Sequence, residues 1–91
     1  MKHILVVDDS NMYCIIAKNA LESTYRISLA HSGPEALAFL EKEIPDLILM
    51  DIEMPKMSGK EVLRQIKSHK EWSKIPVMFM TALSELETEA E

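Results

Sequence analysis

Short apolar runs alternate with segments of helical periodicity along the whole chain. Four runs predict strands, at residues 4–7, 26–30, 47–50 and 75–80. Three of them are continuously apolar, which is typical of strands that are buried on both faces of a sheet. The run at 26–30 is weaker and alternates apolar with polar residues. Pro76 can stand only at the start of the last strand, because proline cannot donate a hydrogen bond to a ladder.

The segments between these runs predict helices. Residues 32–35 and 58–61 have the capping-box spacing, in which a serine is followed three residues later by a glutamate, and they predict helices that end near residue 44 and at about residue 68. Residues 84–87 repeat this spacing and predict the start of a fourth helix. A helix at about 11–22, with Ser10 or Asp9 as N-cap, has a mostly apolar stripe of Met12, Ile15, Ile16, Asn19 and Ala20.

The order β-α-β-α-β-α-β predicts an α/β fold, with a parallel sheet, right-handed crossovers and helices on both faces. Ligands of such sheets bind at the carboxyl ends of the strands, near the point where strand order reverses. Four polar residues follow or end predicted strands at this edge: Asp8, Asp9, Asp51 and Thr81. We therefore expect these residues, which are distant in sequence, to lie close together.

Three carboxylates at one edge favour a divalent cation, because they repel one another until a hard cation with oxygen ligands is bound. Mg²⁺ suits this site best, since it is held by few carboxylates together with water and phosphate oxygens. A carboxylate beside such a metal can attack an activated phosphoryl group. The sequence thus predicts that Asp51 accepts a phosphoryl group. It also predicts that the Thr81 hydroxyl donates a hydrogen bond to a phosphoryl oxygen.

Composition narrows the possible functions. The chain has 91 residues, of which 47% are hydrophobic and 27% charged, as in one small folded domain. Its net charge of -5 without a basic run argues against nucleic acid binding through these residues. Cys14 is the single cysteine, so neither an internal disulfide nor a zinc cluster is expected. The N-terminus leads directly into a strand without a signal-peptide core or membrane span, and we expect a cytoplasmic protein.

The motifs together resemble the receiver domain of bacterial two-component response regulators, which has the flavodoxin-like fold. The resemblance spans the chain. It rests on V-V-D-D-S at residues 6–10, D-L-I-L-M-D-I-E-M-P at 46–55, M-S-G at 57–59 and P-V-M-F-M-T-A at 76–82. It implies a phosphorylation-dependent signalling switch that is not itself an enzyme, with a sensor histidine kinase or a phosphotransfer protein as phosphodonor.

The resemblance also implies a role for individual residues. Asp51 is expected to be the phosphoacceptor. Mg²⁺ is expected to be bound by Asp9 and Asp51, by Asp8 through water, and by the backbone carbonyl of Glu53. Thr81 is expected to be the switch hydroxyl, and the Ala82 backbone N–H to contact the phosphoryl group. Three residues are expected to shape the loop after the acceptor: Met54, Pro55 and Gly59.

Receivers also carry a fifth strand that ends in a lysine, followed by a last helix, and neither is found in residues 1–91. We therefore expect a single receiver domain that is truncated at its C-terminus and has no catalytic lysine. An alternative function is therefore that of an assembly module, which would self-associate through the edge of its fourth strand, at Val77 to Met80. An aspartyl-phosphate phosphatase is a third hypothesis, but Glu53 stands where that family has an aspartate.

Overall fold

The computed structural model describes residues 1–80, and in this part of the chain strands and helices alternate as predicted. The elements are β1 (His3–Val7), α1 (Asn11–Leu21), β2 (Arg26–Ala30), α2 (Gly33–Lys42), β3 (Leu47–Asp51), α3 (Gly59–Ser68) and β4 (Val77–Met80). Strand and helix boundaries differ from the predicted ones by no more than two residues. Thr81, Ala82 and the predicted fourth helix lie outside the described residues.

The four strands form one parallel sheet in the order β2-β1-β3-β4. Val7 lies between Ala30 of β2 and Met50 of β3, and Asp51 is paired with Met80 of β4. From β1 the chain first crosses to one side, to β2, and then to the other side, to β3. Strand order therefore reverses between β1 and β3, and the loops that follow these two strands border the crevice where ligands bind in such sheets.

A serine caps each of the three helices within residues 1–80. The side chains of Ser10, Ser32 and Ser58 accept hydrogen bonds from the backbone N–H groups of Tyr13, Glu35 and Glu61, at 3.3, 3.1 and 3.2 Å. Each bond satisfies a donor that the first helical turn leaves without an intrahelical partner. Of the two N-cap candidates for α1, the structure thus assigns Ser10, and Asp9 is left exposed beside it.

The main core lies on the face of the sheet that α2 and α3 cover. Its strand residues are Leu5, Val7, Ala30, Ile48 and Met50, and its helix residues include Ala36, Leu40, Val62 and Ile66. All of these side chains are buried. Helix α1 covers the other face, where the smaller buried cluster comprises Ile4, Val6 and Cys14. Helices on both faces of the sheet are thus confirmed.

The predicted apolar stripe of α1 is not the face that packs on the sheet. Met12, Ile15 and Ile16 are exposed, and so are Asn19 and Ala20. Cys14, Ala17 and Leu21 make the contact instead. These three residues also have helical spacing, but cysteine and alanine give a weak hydrophobic signal. The prediction of the helix was right, and the prediction of its apolar stripe identified the solvent-facing side.

Candidate functional site

Three carboxylates meet at the carboxyl edge of the sheet. Asp8 and Asp9 directly follow β1, and Asp51 is the last residue of β3. One carboxylate oxygen of each residue lies within 4.8 Å of those of the other two. The structure thus brings together these three sequence-predicted site residues, which we call the acidic triad. Thr81 and Ala82 are outside the described residues, so their predicted place beside the triad stays a prediction.

Asp8 is the buried member of the triad, and its loop is held from several sides. Its backbone N–H donates to the Ala30 carbonyl at 3.0 Å, and its carboxylate accepts a 2.9 Å hydrogen bond from the Ser10 N–H. The Cys14 thiol donates to the Asp8 carbonyl at 3.3 Å. Asp8 is only 4% exposed, so burial and these hydrogen bonds together hold its carboxylate at the end of β1.

The loop after Asp51 is folded back against the acceptor. The Glu53 N–H donates to the Asp51 carboxylate at 3.3 Å, and the Gly59 N–H donates to the Ile52 carbonyl at 2.7 Å. A Cβ on Gly59 would lie 2.3 Å from the Asp51 carbonyl oxygen, so only glycine allows this approach. Of the other loop residues, Met54 is buried in the main core, whereas Pro55 is exposed and its carbonyl accepts from Met57 N–H at 2.7 Å.

Burial and mutual repulsion disfavour the charged forms of the triad. Burial is the main cause that raises the pKa of Asp8 above its ordinary value; the Ser10 N–H opposes this, and Asp9 adds repulsion. The pKa of Asp51 is raised in the same way, first by burial and then by the charge of Asp8. None of the ion pairs within residues 1–80 involves the triad. The electrostatic field there therefore favours a bound cation.

The donor set of the triad fits Mg²⁺. All three side chains offer carboxylate oxygens, the ligands that hard divalent cations prefer, and no nitrogen or sulfur ligand joins the group among the described residues. Asp9 is exposed, so water can reach the site and complete the coordination shell. The Glu53 carbonyl stays a predicted ligand, and the defined contact of Glu53 with Asp51 is made by its backbone N–H.

Two residues near the site have structural features that their sequence context did not reveal. Cys14, which the sequence marks only as the single cysteine, ties α1 to the Asp8 loop, and burial raises the pKa of its thiol to about 11. Lys56 has a positive φ of 69° in the loop after Asp51. Lysine carries no local signal for that left-handed conformation, whereas glycine or asparagine in its place would have indicated a tight turn.

Comparisons with known proteins agree with this geometry. The family description "Response regulator receiver domain" matches residues 4–91. A probable cyclic di-GMP phosphodiesterase of Vibrio cholerae is 45% identical over 86 residues, which are 94% of this chain and 20% of that protein. The chain thus spans about a fifth of the length of the curated relatives it matches.

Solved structures give the same result. The N-terminal domain of a response regulator receiver protein from Methanoculleus marisnigri superimposes with a TM-score of 0.87 at 38% identity, covering 99% of this chain and 77% of that one. The response regulator TrrA from Thermotoga maritima, solved in complex with Mg²⁺-BeF, gives 0.83 at 38% identity, with 98% and 76% covered. The predicted flavodoxin-like receiver fold is confirmed, and the chain belongs to the response regulator receiver domain family.

Proposed function

We propose that this chain is a signalling switch that accepts a phosphoryl group on Asp51 with the help of Mg²⁺. The observation that carries the proposal is the acidic triad, in which one oxygen from each of Asp8, Asp9 and Asp51 lies within 4.8 Å of the others. Family membership supports phosphorylation-dependent signalling in preference to a role as an assembly module alone. The structural match to a receiver solved with Mg²⁺-BeF supports the choice of metal.

Asp51 is the acceptor because of its place in the triad. It ends β3 at the crevice, is partly exposed, and has one oxygen fixed by the Glu53 N–H. Its second oxygen is the one that we propose attacks phosphorus. In transfer from a phosphohistidine, the new O–P bond forms as the N–P bond breaks, and the imidazole nitrogen leaves with the electron pair and takes a proton from water. Asp8 is too deeply buried for a protein donor to reach.

The remaining residues of the site orient the acceptor. Asp8 and Asp9, with Asp51 and the Glu53 carbonyl, would hold Mg²⁺, which supplies positive charge to the phosphoryl oxygens during transfer. Met54, Pro55 and Gly59 keep the loop folded against the end of β3. Thr81 as switch hydroxyl and the Ala82 N–H as phosphoryl contact complete the proposed set. The chain's own chemistry is limited to accepting the phosphoryl group and promoting its loss.

The donor that we propose is a sensor histidine kinase or a phosphotransfer protein, and the compartment that we propose is the cytoplasm. A buried free thiol at Cys14 fits a reducing compartment. Within residues 1–80, no helix has the length and apolar character needed to cross a bilayer.

The acceptor assignment is tested with radiolabelled acetyl phosphate and Mg²⁺. We expect the parent chain to gain a base-labile acyl phosphate and Asp51→Asn to gain none. Asp46→Asn is the matched control, because Asp46 precedes β3 at the opposite end of the sheet and should be labelled like the parent. Equal labelling of Asp51→Asn and the parent would overturn the proposal. Addition of a chelator should abolish labelling if Mg²⁺ is required.

We also propose self-association through the outer edge of β4. Within residues 1–80 this strand pairs only with β3, and Val77–Met80 contains no charged residue to discourage edge pairing. Light scattering over a concentration series tests this proposal, and a monomeric mass at the highest concentration would contradict it.

A further inference from the structure

The end of β2 lies at the same edge of the sheet as the acidic triad and contacts the segment that carries two triad members. Asp8 and Asp9 follow β1, and Asn11 is the first residue of α1. At the start of this segment, the Asp8 N–H donates to the Ala30 carbonyl at 3.0 Å. At its end, Asn11 Oδ1 lies 3.2 Å from Nε2 of the His31 ring. Two consecutive residues thus hold both ends of the segment from Asp8 to Asn11.

The His31 ring lies between the first turns of two helices. Its Nε2 faces Asn11 of α1, and its Nδ1 is 3.7 Å from a carboxylate oxygen of Glu35 in α2. Glu35 is itself held in the first turn of α2, since its backbone N–H donates to the Ser32 side chain at 3.1 Å. Because Asn11 Oδ1 can only accept, the hydrogen bond places a proton on His31 Nε2. The ring therefore connects α1 to α2 beside the triad.

Asp9 is the triad member whose position depends most on the segment that carries it. Asp8 and Asp51 each accept a hydrogen bond from a backbone N–H, at 2.9 and 3.3 Å. Within residues 1–80 no backbone N–H donates in this way to the carboxylate of Asp9, which is also exposed. The backbone on either side of Asp9 therefore sets its position, and His31 restrains the helical end of that backbone.

We propose that His31 is a positioning residue of the metal site, which holds Asp9 in place for Mg²⁺ through its contact with Asn11. This role rests on the proposed function, because it takes Asp9 as a metal ligand. A ligand that is already restrained loses less conformational freedom when the ion binds, so the contact raises the affinity for Mg²⁺. The contacts all lie within residues 1–80, and the last described residue, Met80, is in β4 at the opposite edge of the sheet from β2.

Mg²⁺ titrations of the full chain, followed by the amide NMR signals of the loops after β1 and β3, measure the affinity without phosphoryl transfer. We expect His31→Ala to raise the dissociation constant about threefold, because one exposed hydrogen bond is lost. His31→Gln should stay within about 1.5-fold of the parent, since its amide can still donate to Asn11 Oδ1. His69→Ala is the matched control: His69 follows α3 and stacks on Trp72, away from the triad, so this variant should bind Mg²⁺ like the parent.

A double-mutant cycle tests whether His31 acts through Asn11. Asn11→Ala should also weaken Mg²⁺ binding about threefold, and the double variant should bind no more weakly than either single variant. Additive effects of the two substitutions would overturn the proposed contact. An unchanged affinity in His31→Ala, or an equal loss in His69→Ala, would do the same.

The metal-free chain provides an independent readout. Without Mg²⁺, the NMR order parameters of residues 9–11 should be lower in His31→Ala than in the parent, and those of α3 should be unchanged. Equal order parameters would contradict the positioning role. A parent chain that binds no Mg²⁺ would contradict the proposed function as well, whereas a parent that binds Mg²⁺ with the same affinity as His31→Ala would contradict the positioning role alone.

Discussion

The polar side chains at the two ends of the parallel sheet differ in whether they have partners. At the amino end, the His3 ring lies 2.7 Å from the Ser28 hydroxyl, the His3 backbone N–H donates to the Asp46 carboxylate at 2.7 Å, and Arg26 pairs with Glu43 at 2.7 Å. At the carboxyl end, three carboxylates are crowded together without a cationic side chain among the described residues. Within residues 1–80, the amino end has its polar groups paired, whereas the repulsion at the carboxyl end would be relieved by a bound cation. Stability and function are thus separated along the strands.

The largest effect is expected where the carboxyl end depends on close backbone packing. Gly59→Ala places a Cβ 2.3 Å from the Asp51 carbonyl oxygen, so the loop must move. We expect a loss of about 3 kcal/mol in the free energy of unfolding, measured by urea denaturation, together with reduced labelling of Asp51. Gly33→Ala is the control, because its Cβ would meet side-chain atoms of Met57 and Val62 at 2.8 Å rather than backbone atoms, and it should cost less. A larger loss in Gly33→Ala would show that backbone packing at Asp51 is not decisive.

The amino end should respond to removal of its buried histidine. His3 is 6% exposed and contacts the Phe39 ring edge-on, so His3→Ala removes packing and leaves Ser28 without this partner. We expect a loss of about 2 kcal/mol in thermal or urea unfolding. His31→Ala provides the comparison: its exposed ring lies 3.2 Å from Asn11, and its loss should cost less than about 0.5 kcal/mol. Equal losses would mean that burial of His3 contributes nothing.

An aspartate-to-asparagine substitution should change the free energy of unfolding in opposite directions at the two ends of the sheet. Asp8→Asn removes a repelling charge but keeps an oxygen for the Ser10 N–H, and we expect a gain of about 1 kcal/mol at pH 7 without Mg²⁺. Asp46→Asn weakens a charge-assisted hydrogen bond from His3, and should cost about 0.5 kcal/mol. Added Mg²⁺ should raise the melting temperature of the parent more than that of Asp8→Asn. A loss of stability in Asp8→Asn would mean that the triad is not under repulsion.

The same repulsion predicts a pH dependence. The folded chain holds the pKa values of Asp8 and Asp51 above their ordinary value of 3.8, so it binds protons there more readily than the unfolded chain. Their contribution to stability is full below the unfolded pKa and is lost as pH rises through the folded pKa. Unfolding curves measured without Mg²⁺ should show this decline in the parent and a smaller one in Asp8→Asn. Identical pH profiles would contradict the assignment.

The smallest effect is expected at the loop between the acceptor and α3. Lys56 has a positive φ of 69°, which glycine adopts without strain, so Lys56→Gly should stabilise the fold by about 0.5 kcal/mol. Lys60→Gly makes the same change in the first turn of α3 and should instead destabilise by up to about 1 kcal/mol. Differential scanning calorimetry distinguishes the expected stabilisation from the expected destabilisation. Destabilisation in both variants would show that Lys56 is not strained.

The sequence by itself determined the order of the elements, the caps of the helices and the identity of the acidic triad. These features are encoded locally, because the period of apolar residues, the serine-to-glutamate spacing and an aspartate at the end of a strand can each be read within a few positions. Only the tertiary structure decided which side of α1 is buried, since the Cys14 and Met12 sides both have helical spacing and the sheet selects between them. It also decided the burial of Asp8, which depends on which strands become neighbours and is not encoded by any local pattern.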